Sequence, residues 1–122
     1  SGHCEKVEEN LSRLIPDDWK GSRVNMTELF ILSAAAWLHD NGKVDPACKD
    51  QGKRGADEIR ENWKDYKLDN PLQADIIAEI VDVHSNSKEK LYRVKEPRIL
   101  GPDKIHTRNL AALFCLADAL QY

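Results

Sequence analysis

The stretch "AAAWLHDNGK", residues 34–43, sets an imidazole and a carboxylate side by side, His39 and Asp40, at the end of the most apolar run of the chain. On a helix, His39 shares a face with Leu32, Ala35 and Ala36, and Asp40 lies one step round beside Leu29, Ser33 and Ala36. A carboxylate turned toward an apolar interior is costly unless it is paired or holds a metal, so this pair asks for a positive partner. Three other segments offer a similar group. His3 lies on the face of Val7, Leu11 and Leu14; His84 follows Ile77, Ile80 and Val81; Asp118 lies on the face of Ala111, Phe114 and Cys115 within "LFCLADAL". If they converged, His3, His39, Asp40 and Asp118 would give two imidazoles and two carboxylates, with His84 as a third imidazole nearby. Mixed nitrogen and oxygen donors suit a first-row divalent ion such as Mn, Fe, Co, Ni or Zn better than a pure Mg or Ca site. Taken singly, each has an ordinary explanation: a satisfied core histidine, an acceptor for a backbone cap, a frayed terminus. Spacing alone leaves both readings open.

The elements that would have to position these groups are helices. His3 to Ile15 carries Val7, Leu11, Leu14 and Ile15 at helical spacing, and Pro16 ends it. Asn25 with Glu28 three residues on resembles a capping box, opening an apolar helix from Met26 to Asp40 that reads as the buried centre of the domain. Asn41-Gly42 stops it. Residues 43–52 read as a loop, followed by a helix over Lys53–Tyr66. Asn70-Pro71 starts the next, with Gln73 placed to complete a capping box, and it runs to His84. Ser85–Pro102 reads as a mixed loop with a weak strand at Leu91–Val94, and the last helix runs from Asp103 or Ile105 to Leu120. The expected fold is all-α, about five helices around one core.

The length of 122 residues suits one domain, and 41% hydrophobic residues suffice for one core. A formal net charge of -3, with Lys and Arg scattered rather than striped, argues against a general nucleic-acid binder. No apolar run reaches the roughly 20 residues needed to cross a bilayer, and no signal peptide is visible. Cys4, Cys48 and Cys115 form no CxxC pair and leave an odd one over, which argues for a reducing compartment such as the cytoplasm and for cysteines that fill apolar space. Ser1-Gly2 and the stop at Tyr122 directly after a helical pattern suggest a piece of a longer chain, with adjoining domains possible in the whole protein.

The order His3, then His39-Asp40, then Asp118 resembles the HD-domain superfamily of metal-dependent phosphohydrolases. "LHDNGK" resembles that family's HD-x-GK signature, "GKRGADEI" its following helix start, and "LAALFCLADAL" its closing helix with the last metal aspartate; the likeness spans nearly the whole chain. It implies an HD-like helical bundle with His3, His39, Asp40 and Asp118 as metal ligands, and hydrolysis of a nucleotide or other small phosphate ester. Relatives with two metals carry a histidine before "GKRGA", where this chain has Gln51. A neutral amide is a poor ligand beside imidazole, so the expectation is one divalent ion (Mn, Fe, Co, Ni, Zn or Mg). His84 matches a later family histidine and is expected to contact substrate phosphate or a water. Asn41 departs from the apolar residue common in the signature, and the GYP motif of the cyclic-dinucleotide phosphodiesterase branch is absent.

Phosphate oxygens need cations, and Lys43 and Arg54 are candidates, helped by the helix start around Gly52–Gly55. The expected machinery is therefore Asp40, His84 and Lys43 for catalysis, with Lys43, Arg54 and His84 binding substrate. Asp50 and Glu58 are weaker candidates for a base, and His106 reads as a surface or capping residue. A second hypothesis is a catalytically degenerate HD module that binds a nucleotide or a partner and regulates an adjoining domain; Gln51 favours it. A bare helical scaffold explains the buried charges least well.

Overall fold

The computed structural model describes residues 2–40, 51–84 and 88–120. Its elements are α1 (Gly2–Leu14), a 3-10 turn at Asp17–Trp19, α2 (Met26–Leu38), α3 (Gln51–Glu61), α4 (Pro71–His84), α5 (Lys88–Arg93), β1 (Arg98–Leu100), β2 (Asp103–Ile105) and α6 (Thr107–Ala119). The fold is mainly helical, with six α-helices and one two-stranded antiparallel sheet among the described residues.

Local chemistry explains the starts of α2 and α4. The Asn25 side chain accepts from the Glu28 amide at 2.8 Å and the Glu28 carboxylate accepts from the Asn25 amide at 3.0 Å, a complete capping box. Asn70 likewise accepts from the Gln73 amide at 2.8 Å, but Gln73 Oε1 accepts from the amide of Asp69 rather than of Asn70, so the reciprocal bond closes one residue early. Helix α3 stops at Glu61, short of the expected Tyr66. Asn62 donates its side-chain amide to the Glu58 carbonyl and to Glu58 Oε1, and turns replace the helix beyond.

The segment before α6 departs most from expectation. The expected strand at Leu91–Val94 is part of a helical turn, with Lys88–Arg93 helical and Val94 buried behind it. The strands come later, pairing Arg98 with Ile105 and Leu100 with Asp103 around a two-residue turn. Gly101 takes φ +60 there, a conformation that costs glycine little and other residues more. Asp103–Ile105, expected as the start of the last helix, is strand because the N-terminal end of α2 claims it. Asn25 Nδ2 donates to the Lys104 carbonyl at 3.1 Å, Thr27 Oγ1 to Asp103 Oδ2 at 2.5 Å, and the His106 amide to Glu28 Oε2 at 2.9 Å.

Buried side chains from α1, α2, α3, α4 and α6 form one core. Helix α4 is its centre: Ala74, Ile76, Ile77, Ala78, Ile80 and Val81 are fully buried, and the helix packs on α2, α3, α5 and α6. Helix α2, expected as the buried centre, lies nearer the surface and leaves Met26, Phe30 and Trp37 exposed. Its apolar residues exceed what one packed face needs, and composition does not say which sides neighbours occupy. Helices α1, α2 and α6 pack on one another pairwise. Helix α1 runs antiparallel to α2, with Cys4 against Asp40 and Glu8 against Ser33, and it crosses the last turn of α6, where His3 meets Asp118 and Asn10 meets the Ala117 carbonyl. Fully burying a side chain such as Ile31 or Phe114 in this core contributes roughly 1.5–3 kcal/mol. No helix among the described residues is long and apolar enough to cross a membrane.

Candidate metal centre

Three helix ends meet at one point. His3 stands in the first turn of α1, His39 is the C-cap of α2 with Asp40 next to it, and Asp118 is in the last turn of α6. His3 Nε2 lies 3.0 Å from Asp118 Oδ1, and His39 Nε2 lies 3.3 Å from Asp40 Oδ1 and 3.7 Å from Asp118 Oδ1. Ligand atoms of His3, His39 and Asp118 all fall within 4.8 Å of one another, as do those of Cys4, His39 and Asp40. His39 belongs to both groups. The four expected ligands therefore come together around His39, with Asp40 on the side of Cys4 and Asp118 on the side of His3.

His39 is held rigidly. Its amide donates to the Ala35 carbonyl at 2.9 Å, and its Nδ1 sits 2.7 Å from the Ala36 carbonyl. A carbonyl only accepts, so Nδ1 carries a proton, and in the neutral ring Nε2 then presents its lone pair toward the carboxylates. This is the orientation that metal-binding histidines commonly take, with the second nitrogen fixed by a backbone carbonyl. Phe114 packs edge-on at 5.3 Å between ring centroids and His3 lies tilted at 5.2 Å. The His39 side chain is fully enclosed, while those of His3, Asp40 and Asp118 are 22%, 29% and 18% exposed. The cluster is thus dry on the Phe114 side and open on the other.

Electrostatics favour a cation here. The C-terminal ends of α2 and α6, which carry partial negative charge, converge here with two carboxylates, and the N-terminal end of α1 offsets part of that charge. Neither α2 nor α6 has a basic residue in its last turn. The donor set of two imidazoles and two carboxylates, one imidazole pre-oriented, fits a first-row divalent ion.

The other expected site residues are Lys43, Arg54 and His84. Lys43, the loop around it, Asn41-Gly42 and Asp50 lie outside the described residues, as do the side chains of Gln51 and His84. His84 is the last residue of α4. Arg54 is exposed in the first turn of α3, and no hydrogen bond or ion pair joins it to the cluster among the described residues. Glu58, weighed as a base, is exposed and accepts from Asn62 at 2.9 Å. His106 is the N-cap of α6, but its ring does not cap: Nδ1 lies 3.2 Å from Glu28 Oε2.

Sequence reasoning missed Cys4. Read as an apolar filler, it is buried, but its thiol donates to Asp40 Oδ2 at 3.5 Å. Its place one residue after His3, on the inward side of the same first turn, was the available signal.

A cleft of about 440 Å³ lies elsewhere, against Trp19, Arg23, Glu28 and His106 at the opposite ends of α2 and α6. Volume alone does not make it the reactive site, because the Glu28 carboxylate there is already saturated by amide and imidazole donors. No protein-family model, curated protein or solved structure matches this chain.

Proposed function

We propose that the chain is a metal-dependent phosphohydrolase of the HD type, acting on a nucleotide or another small phosphate ester, with His3, His39, Asp40 and Asp118 holding one divalent ion. The observation that carries this reading is the meeting of His3, His39 and Asp118 from three helices within 4.8 Å, with Asp40 3.3 Å from the same His39 nitrogen. Two carboxylates on one imidazole nitrogen, with no basic residue in the last turn of α2 or α6, add support independent of any motif.

A divalent ion at this point supplies Lewis acidity toward a phosphoryl oxygen and lowers the pKa of water beside it. The chain does the rest. His39 and Phe114 close the inner side against solvent. Asp40 is the most open of the four ligands. Lys43, Arg54 and His84 are proposed to take the phosphate oxygens, and Gln51 to keep the count at one ion.

The test is metal content of protein purified without chelator, followed by turnover on a panel of nucleotides and phosphate esters with Mn, Fe, Co, Ni, Zn or Mg. The expected result is about one ion per chain and turnover that Asp118→Ala abolishes. Bound metal without turnover on any ester favours the second reading, a degenerate regulatory module, which Gln51 makes the closest alternative. Absence of metal at every concentration tried overturns both.

A further inference from the structure

We propose that Cys4 is a ligand of the same ion, so that the centre is a mixed imidazole, carboxylate and thiolate site selective for zinc, iron(II) or cobalt over magnesium and calcium. The inference rests on reading the cluster as a metal centre and goes beyond it in naming the donor that sets metal identity.

Three observations carry it. Cys4 Sγ, His39 Nε2 or Nδ1 and an Asp40 oxygen form a group with all separations within 4.8 Å. Because His39 Nδ1 is committed to the Ala36 carbonyl, Nε2 is the nitrogen left for an ion, and it is the vertex shared with His3 and Asp118. Nitrogen and sulfur ligands with bonds of about 2.0 Å and 2.3 Å lie roughly 3.5 Å apart around a tetrahedral ion, and Cys4 Sγ already stands 3.5 Å from Asp40 Oδ2. With His3, His39, Asp40 and Asp118 also bound, the ion would be five-coordinate. Finally, Cys4 is 4% exposed yet directed at a carboxylate, 3.5 Å from Asp40 Oδ2, which is a poor place for an apolar filler.

Cys115 provides the contrast. It is half-buried and belongs to neither donor group among the described residues. Cys4 is the thiol inside the donor group. On ligation its S–H bond breaks, an S–metal bond forms and the proton leaves to water, with no change of oxidation state. Thiolate is the donor that turns a site permissive for hard ions into one for softer first-row ions.

The experiment is a titration of the whole chain with Co²⁺ under anaerobic conditions, read by absorption. The expected spectrum shows visible d–d bands together with a sulfur-to-cobalt charge-transfer band in the near ultraviolet. Cys4→Ser should keep the d–d bands and lose the charge-transfer band. Its Zn²⁺ affinity should fall by at least about 10- to 100-fold, the loss typical even of partners outside the ligand set. Cys48→Ser and Cys115→Ser should keep the charge-transfer band. Cobalt bound by the parent chain without that band, or a band that follows another cysteine, overturns the thiolate ligand and leaves the His–Asp centre standing. No cobalt spectrum at all overturns both. The parent spectrum decides the matter even if Cys4→Ser folds poorly.

Discussion

Helices α2 and α6 run side by side, and each end of the pair brings carboxylate and imidazole together. At the N-terminal end, Glu28 Oε2 lies 3.2 Å from His106 Nδ1; at the C-terminal end, Asp40 Oδ1 lies 3.3 Å from His39 Nε2. The distances are nearly equal and both pairs join a carboxylate to an imidazole, but the surroundings differ. Glu28 stands where helix N-termini present positive partial charge, and it takes the Asn25 amide at 3.0 Å and the His106 amide at 2.9 Å besides the ring. Asp40 and Asp118 stand at the C-terminal ends of α2 and α6, whose dipoles oppose a carboxylate and are offset only in part by the start of α1, and both lie within 3.7 Å of one imidazole nitrogen. Eleven residues separate Glu28 from His39, about 16 Å of helix rise. One pair of helices thus carries a carboxylate that backbone amides satisfy and, a helix length away, two carboxylates held by side chains, Asp118 by His3 and Asp40 by Cys4. The first arrangement holds the fold; the second suits ion binding.

The largest effect that should separate the two ends is the response to metal. If the C-terminal end holds an ion, saturation at about 100 times Kd adds about 2.7 kcal/mol of stability, or on the order of 10 °C in Tm for a domain this size. Glu28→Gln should keep that shift. Asp40→Ala should lose it, and without metal its Tm should equal or exceed the parent's, because a carboxylate at a negative helix end has been removed. Thermal melts with and without chelator measure all three. A shift that survives in Asp40→Ala removes Asp40 from the ligand set.

A smaller effect is expected at the other end. Glu28→Ala leaves the amides of Asn25 and His106 without their acceptor, which should cost about 1–3 kcal/mol in denaturant unfolding. Metal stoichiometry should be unchanged. Coupled loss of metal and stability would show that the two ends are not independent.

The smallest effect comes from a third cluster, which serves as a control on both. Asp75 on α4 receives Arg60 Nε at 2.8 Å and an Arg98 guanidinium nitrogen at 2.8 Å. Burial pushes its carboxyl up, but the two guanidiniums outweigh burial and hold it below the ordinary value. A lowered folded-state pKa means the contribution is complete well above the unfolded value of about 3.9 and is lost as pH falls through the folded value. Asp75→Asn should therefore lower stability near neutral pH by no more than about 1 kcal/mol, since the pair is partly solvated. The gap to the parent should close on acidification. A gap that stays constant into strong acid would remove the charge from the explanation.

How much of this was legible in the chain follows from the range of each interaction. The Asn25–Glu28 capping box, the start of α4 at Asn70-Pro71 and the helical course of α1, α2 and α6 depend on neighbours within a turn, and residue type and spacing carry that information. The inward placement of His3, His39 and Asp118 was legible for the same reason, as helical periodicity sets a face. The strand at Asp103–Ile105 was not, because bonds from Asn25, Thr27 and Glu28, more than seventy residues earlier, decide it. Nor was the exposed side of α2, or the centrality of α4, since an apolar helix does not announce which of its sides a neighbour will cover. The thiol of Cys4 looked like filler until Asp40, 36 residues away, was found against it. The sequence by itself determined the helical course of α1, α2, α4 and α6 and the helix faces that carry His3, His39 and Asp118. Only the tertiary structure decided which ends meet, and so which imidazole is shared, because direction and proximity between helices are set by packing rather than by any one segment.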